Sequence, residues 1–411
     1  MRPKGETGRR PRVVVLLGTR PEAVKMAPVL QGLQRRSHLL EARVVHTGQH
    51  EDLVEPFLDF FQVQPHHTLG IMRPGQEAHD VLARGLPALR DVFRHEEPEL
   101  VLVQGDTTSV LMGALASFLR GIPVGHVEAG LRSGDRHAPF PEEVFRRMTS
   151  VAADHHFAPT ARARRNLERE GIAPDTIHVT GNPVVDALLE VAARDEAGGH
   201  GTPEDPEARK ALNEPGPLIL MTAHRQEAFG EPMKRLFRTV AELARQEGIR
   251  VLFPVHPNPQ VAGPAHDILG DVEGVHLTDP LDYLDLVRVL RRSHLVLTDS
   301  GGLQEEAPTF HVPVLVLRET TERPEGVAAG TARLVGTDPQ RIRSGVLEAL
   351  GDGAGVGRTA PQTNPAHGTP MVDHPYGDGQ AGERIAAWAA HVVAGESPPA
   401  DWEGPVSGGE A

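Results

Sequence analysis

Short runs of β-branched and aliphatic residues alternate with helix-period stretches along most of the chain. Val13–Leu17, Ala42–His46, Leu100–Val103, Val124–Val127, His155–Ala158 and Ile177–Val179 are each bounded by Gly, Pro or polar turn residues, as buried strands are. A second series follows: Leu218–Thr222, Val251–Val255, Val275–Leu277, Leu295–Thr298, Val314–Leu317 and Arg333–Val335. Between strands the apolar spacing turns helical. Ala23, Met26, Ala27 and Leu30 follow Pro21, which suits a helix start because the N–H it lacks would have had no partner there. Val110, Leu111, Ala114, Leu115 and Phe118 repeat the pattern. Such alternation predicts parallel sheets covered by helices on both faces.

The rhythm loosens once, at Arg194–Gly216, a polar stretch rich in Gly and Pro that reads as a linker. The expected organisation is therefore α/β: a doubly wound domain over 12–193, a hinge over 194–216 and a second doubly wound domain over 217–378. Asp282 and Asp338 are placed to cap helices. Residues 351–373 read as a loose loop, 379–394 as a last helix and 395–411 as a disordered tail. Open parallel sheets bind ligands beyond the carboxyl ends of their strands, so the cleft between the domains is the expected site.

Composition narrows the function. The 411 residues hold no cysteine, which excludes thiol catalysis, disulfide scaffolds and cysteine metal sites. A formal net charge of −14 argues against a broad nucleic-acid footprint, which needs clustered cations. No apolar run reaches membrane-spanning length, and the N-terminus lacks the apolar centre of a signal peptide, so the expected location is cytoplasmic. Lysine occurs only at Lys4, Lys25, Lys210 and Lys234, so a lysine inside a motif is informative.

The motifs cluster at strand ends. Gly18-Thr19-Arg20-Pro21-Glu22-Ala23-Val24-Lys25 turns from a strand into a helix N-terminus, whose free N–H groups favour anions, with Arg20 and Lys25 close by. Asp106, Glu128 and Glu142 fall at strand ends or helix starts on one edge of the first sheet. Carboxylates crowded together repel, which keeps one protonated and supplies an acid and a base in one pocket. The alternative is that Asp106 and Glu142 simply cap helices. In the second series His224 and Arg225 end one strand and His256 ends the next, positions that suit proton transfer or leaving-group stabilisation. Thr298-Asp299-Ser300-Gly301-Gly302-Leu303-Gln304-Glu305-Glu306 is a strand–turn–helix in which the glycines admit a phosphate, Ser300 can donate to it and Glu306 can take ribose hydroxyls. Arg323 is a phosphate partner after the next strand. Neither a P-loop nor a G-x-G-x-x-G fingerprint occurs, and no metal-ligand pattern is present, so no cofactor and no metal are expected.

Taken together and in order, GTRPEAVKMAPV, VQGDTTS, GHVEAGLRSGD, PFPEE, AHRQE, PVHPNP, LTDSGGLQEEAP, ETTERPE, GTARLVGTD and HPYGDGQA resemble the non-hydrolysing UDP-N-acetylglucosamine 2-epimerases over nearly the whole chain. The resemblance implies a GT-B type fold, two Rossmann-like domains with a UDP-sugar in the cleft, and a final helix packed back on the first domain. It implies a homodimer with no nucleic-acid or membrane partner. The reaction it implies interconverts UDP-N-acetylglucosamine and UDP-N-acetylmannosamine by eliminating UDP, forming 2-acetamidoglucal and adding UDP back, in support of cell-surface polysaccharide synthesis. By that resemblance Asp106, Glu128, Glu142 and His224 are catalytic, while Arg20, Lys25, His256, Ser300, Gly301, Gly302, Glu306 and Arg323 bind substrate. Gln49, His50 and Arg73 match a region where bacterial members bind a second UDP-sugar as activator.

Some positions depart from the family pattern. Phe145 stands where relatives usually carry Asn, Gln226 where a second Arg is common, and Leu286 where Phe is frequent; the 351–373 stretch is longer than usual. These leave open a related diacetamido-uronic acid nucleotide as substrate. A hydrolysing epimerase, or a GT-B glycosyltransferase or UDP-sugar sensor, are the competing readings.

Overall fold

Val13 through Leu17 are almost wholly buried, as a strand covered on both faces requires. The computed structural model describes residues 9–48, 58, 60–73, 75–198, 201–351 and 374–404. Its elements begin β1 (Arg12–Leu17), α1 (Arg20–Arg35), β2 (Glu41–His46), β3 (His67–Thr68), α2 (Ala78–Glu96), β4 (Leu100–Gln104) and α3 (Thr108–Phe118). They continue β5 (Val124–Val127), α4 (Glu142–Ala152), β6 (His155–Ala158), α5 (Ala161–Arg169), β7 (Ile177–Val179) and α6 (Pro183–Ala197). After α7 (Pro206–Asn213) come β8 (Leu218–Thr222), α8 (Glu231–Glu247), β9 (Arg250–Pro254), α9 (Pro259–Leu269), β10 (Val275–Thr278) and α10 (Tyr283–Arg292). The chain ends with β11 (Leu295–Thr298), α11 (Gly301–Glu306), β12 (Val314–Val316), α12 (Pro324–Ala328), β13 (Ala332–Leu334), α13 (Pro339–Leu350) and α14 (Ala381–Ala394).

Two units result. The first runs to Ala187 and takes the chain back from Tyr376; the second spans Leu188–Pro375. The first unit holds a parallel seven-stranded sheet in the order β3-β2-β1-β4-β5-β6-β7. The second holds a parallel six-stranded sheet in the order β10-β9-β8-β11-β12-β13. In each sheet the strand order reverses between two neighbours, β1 and β4 in one and β8 and β11 in the other. Their carboxyl ends form the switch-point crevice where such sheets take ligands. The expected motifs lie there: Gly18–Lys25 and Gly105–Thr108 in the first unit, Ala223–Gln226 and Asp299–Gly302 in the second.

Helix α14 packs on α1 at close range. A Cβ at Gly32 would meet Ala386 Cβ at 2.6 Å, and one at Gly382 would meet Pro28 Cβ at 2.6 Å. Arg35 and Arg36 both reach Glu383. Asp186, on α6, accepts the Gly382 and Ala381 N–H groups at 2.8 and 3.2 Å, capping α14 from the side.

The structure departs from the sequence expectations in several places. The 194–216 stretch is not a continuous linker: α6 runs to Ala197, and α7 forms within it because Asp205 accepts the Ala208 N–H at 2.8 Å, Pro206 opens the helix, and Ala208, Ala211 and Leu212 are buried. The division between units falls at 187/188, inside α6. Within the tail read as disordered, Trp402 N–H donates to Val179 O at the free edge of β7 at 2.7 Å and Arg164 meets Asp401 at 3.1 Å; an edge strand offers unpaired carbonyls. Phe118, in the helix-period stretch that forms α3, is 62% exposed. Strand β3 is two residues long, too short to carry a pattern. Most of the 351–373 loop lies outside the described residues.

Candidate active site

In the first unit the centre is Glu128, just beyond β5. Its backbone is in the left-handed region at φ +64°, uncommon for a residue with a side chain. Lys25, on the first turns of α1, donates to both Glu128 oxygens at 2.7 and 2.8 Å. Gln104 Nε2, at the end of β4, and Asn182 Nδ2 at 3.4 Å also donate to that carboxylate. All four side chains are buried. A buried carboxylate is retained only when paired and hydrogen-bonded, and here three elements of the unit supply the partners.

Asp106 follows β4 by two residues and pairs with Arg146 of α4. Arg146 also lies 3.4 Å from Glu143, which accepts the Ser133 N–H at 3.1 Å. Asp106 is not a helix cap: Thr107 caps α3, accepting the Val110 N–H at 3.4 Å. Glu142 is the half-buried first residue of α4, and makes no hydrogen bond or ion pair among the described residues. Asp106 and Glu128 are thus each matched to a cation. Glu22, at the start of α1, is raised by burial to about 7 despite hydrogen bonds from Thr107, Gly18 and Thr19. Arg20 is half-buried at the first position of α1, and has no ion pair among the described residues.

In the second unit the centre is Asp299, after β11. Its Oδ2 accepts the His224 and Arg225 N–H groups at 2.7 and 2.8 Å, and its Oδ1 lies 3.0 Å from His224 Nδ1. Burial raises its affinity for a proton, but His224 and the two N–H groups hold it below the ordinary carboxylate value. An ionised Asp299 facing Nδ1 leaves Nε2 as the basic nitrogen of His224. The His256 ring stacks on His224 with centroids 5.7 Å apart. Burial first, and His224 second, hold His256 below its ordinary value.

Ser300 opens α11, and Gly301 follows with no room for a side chain: a Cβ would meet Arg323 Nη1 at 2.7 Å. Arg323 is held by Glu305 at 2.9 Å and Glu322 at 2.7 Å, and Glu322 takes Arg318 at 2.8 Å on its other oxygen. Burial raises the Glu322 pKa, but Arg323 and Arg318 outweigh it and bring it down to about 2. A Cβ at Gly302 would lie 3.3 Å from Glu306 Oε1, at the end of α11. Arg73 is exposed, donating to Gly70 and Met72 carbonyls at 3.3 and 2.9 Å. Gln49 and His50 lie outside the described residues.

The sequence reading brought forward Lys25, Glu128, Asp106 and His224 but gave no role to Glu22, Gln104, Arg146, Asn182 or Asp299. Glu22 carried a signal, since Thr19-x-x-Glu22 has capping-box spacing. Gln104 and Asn182 carried none, because their value lies in reaching Glu128 across the sheet edge. Among the described residues no group of three His, Asp or Glu side chains could hold a metal ion. No described helix is long and apolar enough to cross a membrane.

Two Rossmann-like parallel-sheet units, each with its polar turns at the switch point, define the GT-B type of α/β protein. The profile of the family described as UDP-N-acetylglucosamine 2-epimerase matches residues 32–389, and the chain belongs to that family of isomerases. It is 44% identical over 375 residues to UDP-N-acetylglucosamine 2-epimerase of Salmonella typhimurium, covering 91% of this chain and 97% of that protein. A crystal structure of a Listeria monocytogenes protein described as a putative UDP-N-acetylglucosamine 2-epimerase superposes with TM-score 0.85 at 41% identity, covering 96% of this chain and 99% of that one. UDP-GlcNAc 2-epimerase from Neisseria meningitidis, solved bound to UDP-GlcNAc, gives TM-score 0.79 at 38% identity, over 92% and 99% of the two chains.

Proposed function

We propose that this chain epimerises UDP-N-acetylglucosamine at carbon 2, giving UDP-N-acetylmannosamine, by eliminating UDP and adding it back to 2-acetamidoglucal. The observation that carries the reading is Glu128, a buried carboxylate on left-handed backbone that takes hydrogen bonds from Lys25, Gln104 and Asn182, in a member of the epimerase family. The C2 proton has no adjacent carbonyl to acidify it, so its removal needs departure of the anomeric oxygen. Positive charge then builds at C1, and a carboxylate takes the C2 proton. Return of the proton on the opposite face, followed by UDP attack at C1, completes inversion with no net redox change.

The first unit supplies the acid–base groups of this reading, Asp106, Glu128 and Glu142, with Arg20 and Lys25 as cations. The second supplies the hold on UDP: His224, oriented by Asp299, and His256 toward the diphosphate, Ser300, Gly301, Gly302 and Arg323 at the phosphate turn, and Glu306 toward the ribose. Arg73, with Gln49 and His50, is assigned to an activator site. The enzyme works in the cytoplasm, and its product is an activated sugar for surface polysaccharide synthesis. It acts as a homodimer; an exposed apolar patch on the packed helices α3 and α4, comprising Phe118, Leu119, Met148 and Val151, supports self-association.

Proton NMR of the product tests the assignment. UDP-N-acetylmannosamine formed from UDP-N-acetylglucosamine supports it. Turnover of only a diacetamido-uronic nucleotide moves the substrate to that class, and free UDP accumulating in step with turnover points to a hydrolysing enzyme.

A further inference from the structure

Strands β1 and β4 are neighbours, and the turns that leave them carry Arg20 and Lys25 on one side and Asp106 on the other. One side chain joins these turns. Glu22, in the first turn of α1 and 2% exposed, accepts the Gly18 N–H at 2.7 Å on Oε2. Its Oε1 accepts the Thr19 hydroxyl at 3.0 Å and the Thr107 hydroxyl at 2.8 Å. Thr107 in turn accepts the Val110 N–H, so its hydroxyl is committed in both directions. The packing around the link is tight: a Cβ at Gly18 would lie 2.5 Å from Ser109 Oγ, and Ser109 Oγ is 3.2 Å from the Thr47 hydroxyl.

We propose that Glu22 is a positioning residue for the epimerisation, fixing the turn that bears Asp106 against the turn that bears Arg20 and Lys25. A buried carboxyl whose partners are two hydroxyls and one N–H, with no cation, is a poor device for stability alone. Its three bonds fall on the residue after Asp106 and on the two residues before Arg20. Asp106 is thereby held from both directions, its side chain by Arg146 and its backbone through Thr107 and Glu22. Proton transfer falls steeply when the transferring group is displaced, so the link acts on kcat and leaves the UDP-binding residues of the second unit untouched.

This inference rests on the proposed epimerase activity, and the assay separates the two. Wild-type enzyme is first shown to convert UDP-N-acetylglucosamine; absence of turnover there rejects the functional reading and leaves Glu22 without a reaction to serve. With an active wild type, Glu22→Ala is expected to lower kcat roughly 10- to 100-fold, with KM and UDP affinity by calorimetry within about 3-fold. Glu22→Gln is expected to lose less than Glu22→Ala, because its amide oxygen can take the Gly18 N–H and its NH2 can donate to the two hydroxyl oxygens, though their own protons lose their acceptor. Thr107→Val tests the same link from the other side, and carries the test if Glu22→Ala does not fold. It should lower kcat, and combining it with Glu22→Ala should add little further loss. An unchanged kcat in Glu22→Ala and Thr107→Val, equal losses in the Gln and Ala variants, or a loss confined to KM would each overturn the proposal.

Discussion

Lys25 Nζ lies 2.7 and 2.8 Å from the two carboxylate oxygens of Glu128, and both side chains are buried. Removing one member strands the other's charge in the interior. Lys25→Met is expected to lose about 3 kcal/mol in urea unfolding, together with nearly all activity. Asp106→Asn and Glu128→Gln should likewise abolish turnover while UDP affinity, measured by calorimetry, stays within about 3-fold. Full activity in both carboxylate variants would remove them from the chemistry.

Asp299 sets the tautomer of His224. In Asp299→Asn the side-chain oxygen can still take the His224 and Arg225 N–H groups, which turns the NH2 toward His224 Nδ1 and leaves the ring proton on Nε2. The expected result is a kcat loss of roughly 100-fold, with the fold intact by circular dichroism. A kcat within about 2-fold of wild type would show that the Nε2 base has no part in turnover.

Gly301 leaves space only for the Arg323 guanidinium, which Glu305 and Glu322 hold in place. Gly301→Ala must displace that group or the turn. Overpacking costs about 1–3 kcal/mol, so UDP affinity should fall by about 10-fold or more in calorimetry.

The buried ionisable groups pull stability in opposite directions with pH. Glu22 and Asp186 are both raised to about 7, so their contributions are complete below their ordinary values of 4.5 and 3.8 and are lost as pH rises through about 7. Burial lowers His126 and His178 to about 3 and His374 to about 4, so their contributions are present above the ordinary 6.5 and are lost as pH falls toward those values. Over the middle range the slopes oppose, and a wild-type melting curve alone resolves neither. Comparison with Asp186→Asn does: the variant's deficit should shrink between pH 4.5 and 7.5 by on the order of 3 kcal/mol. A deficit constant with pH would mean that Asp186 is ionised throughout.

Phe118, Leu119, Met148 and Val151 are 62%, 69%, 50% and 81% exposed, on or just after two helices that pack together. Carrying glutamate at both Phe118 and Val151 should convert a dimer to a monomer by light scattering, since charge is excluded from interface centres. A monomeric wild type, or a dimeric variant, would contradict self-association through this patch.

Much of this was legible before the structure. Both sheets were, because twelve of their strands are apolar runs long enough to stand out between turn residues; β3, with two residues, was not. Several of the motifs, among them Gly18–Lys25, Gly105–Thr108, Ala223–Gln226 and Asp299–Gly302, do follow strands, since Gly, Asp and His at such places are written locally. What the sequence could not express was pairing. Spacing suggested three carboxylates in competition, but Lys25 comes to Glu128 across 103 positions and Arg146 to Asp106 across 40. Nor did it express the burial of Glu22, which joins the turns after β1 and β4. Helix α7 was hidden inside a linker-like composition, where only Asp205-Pro206 and three buried residues mark it.

The central claim is that the bond between C1 and the bridging oxygen of UDP breaks and reforms. UDP-N-acetylglucosamine labelled with oxygen-18 in that bridge tests it directly. As the two epimers interconvert, the label is expected to spread into the non-bridging oxygens of the β-phosphate, because the phosphate of released UDP rotates before it returns. Epimer formation with every label still in the bridge would contradict it.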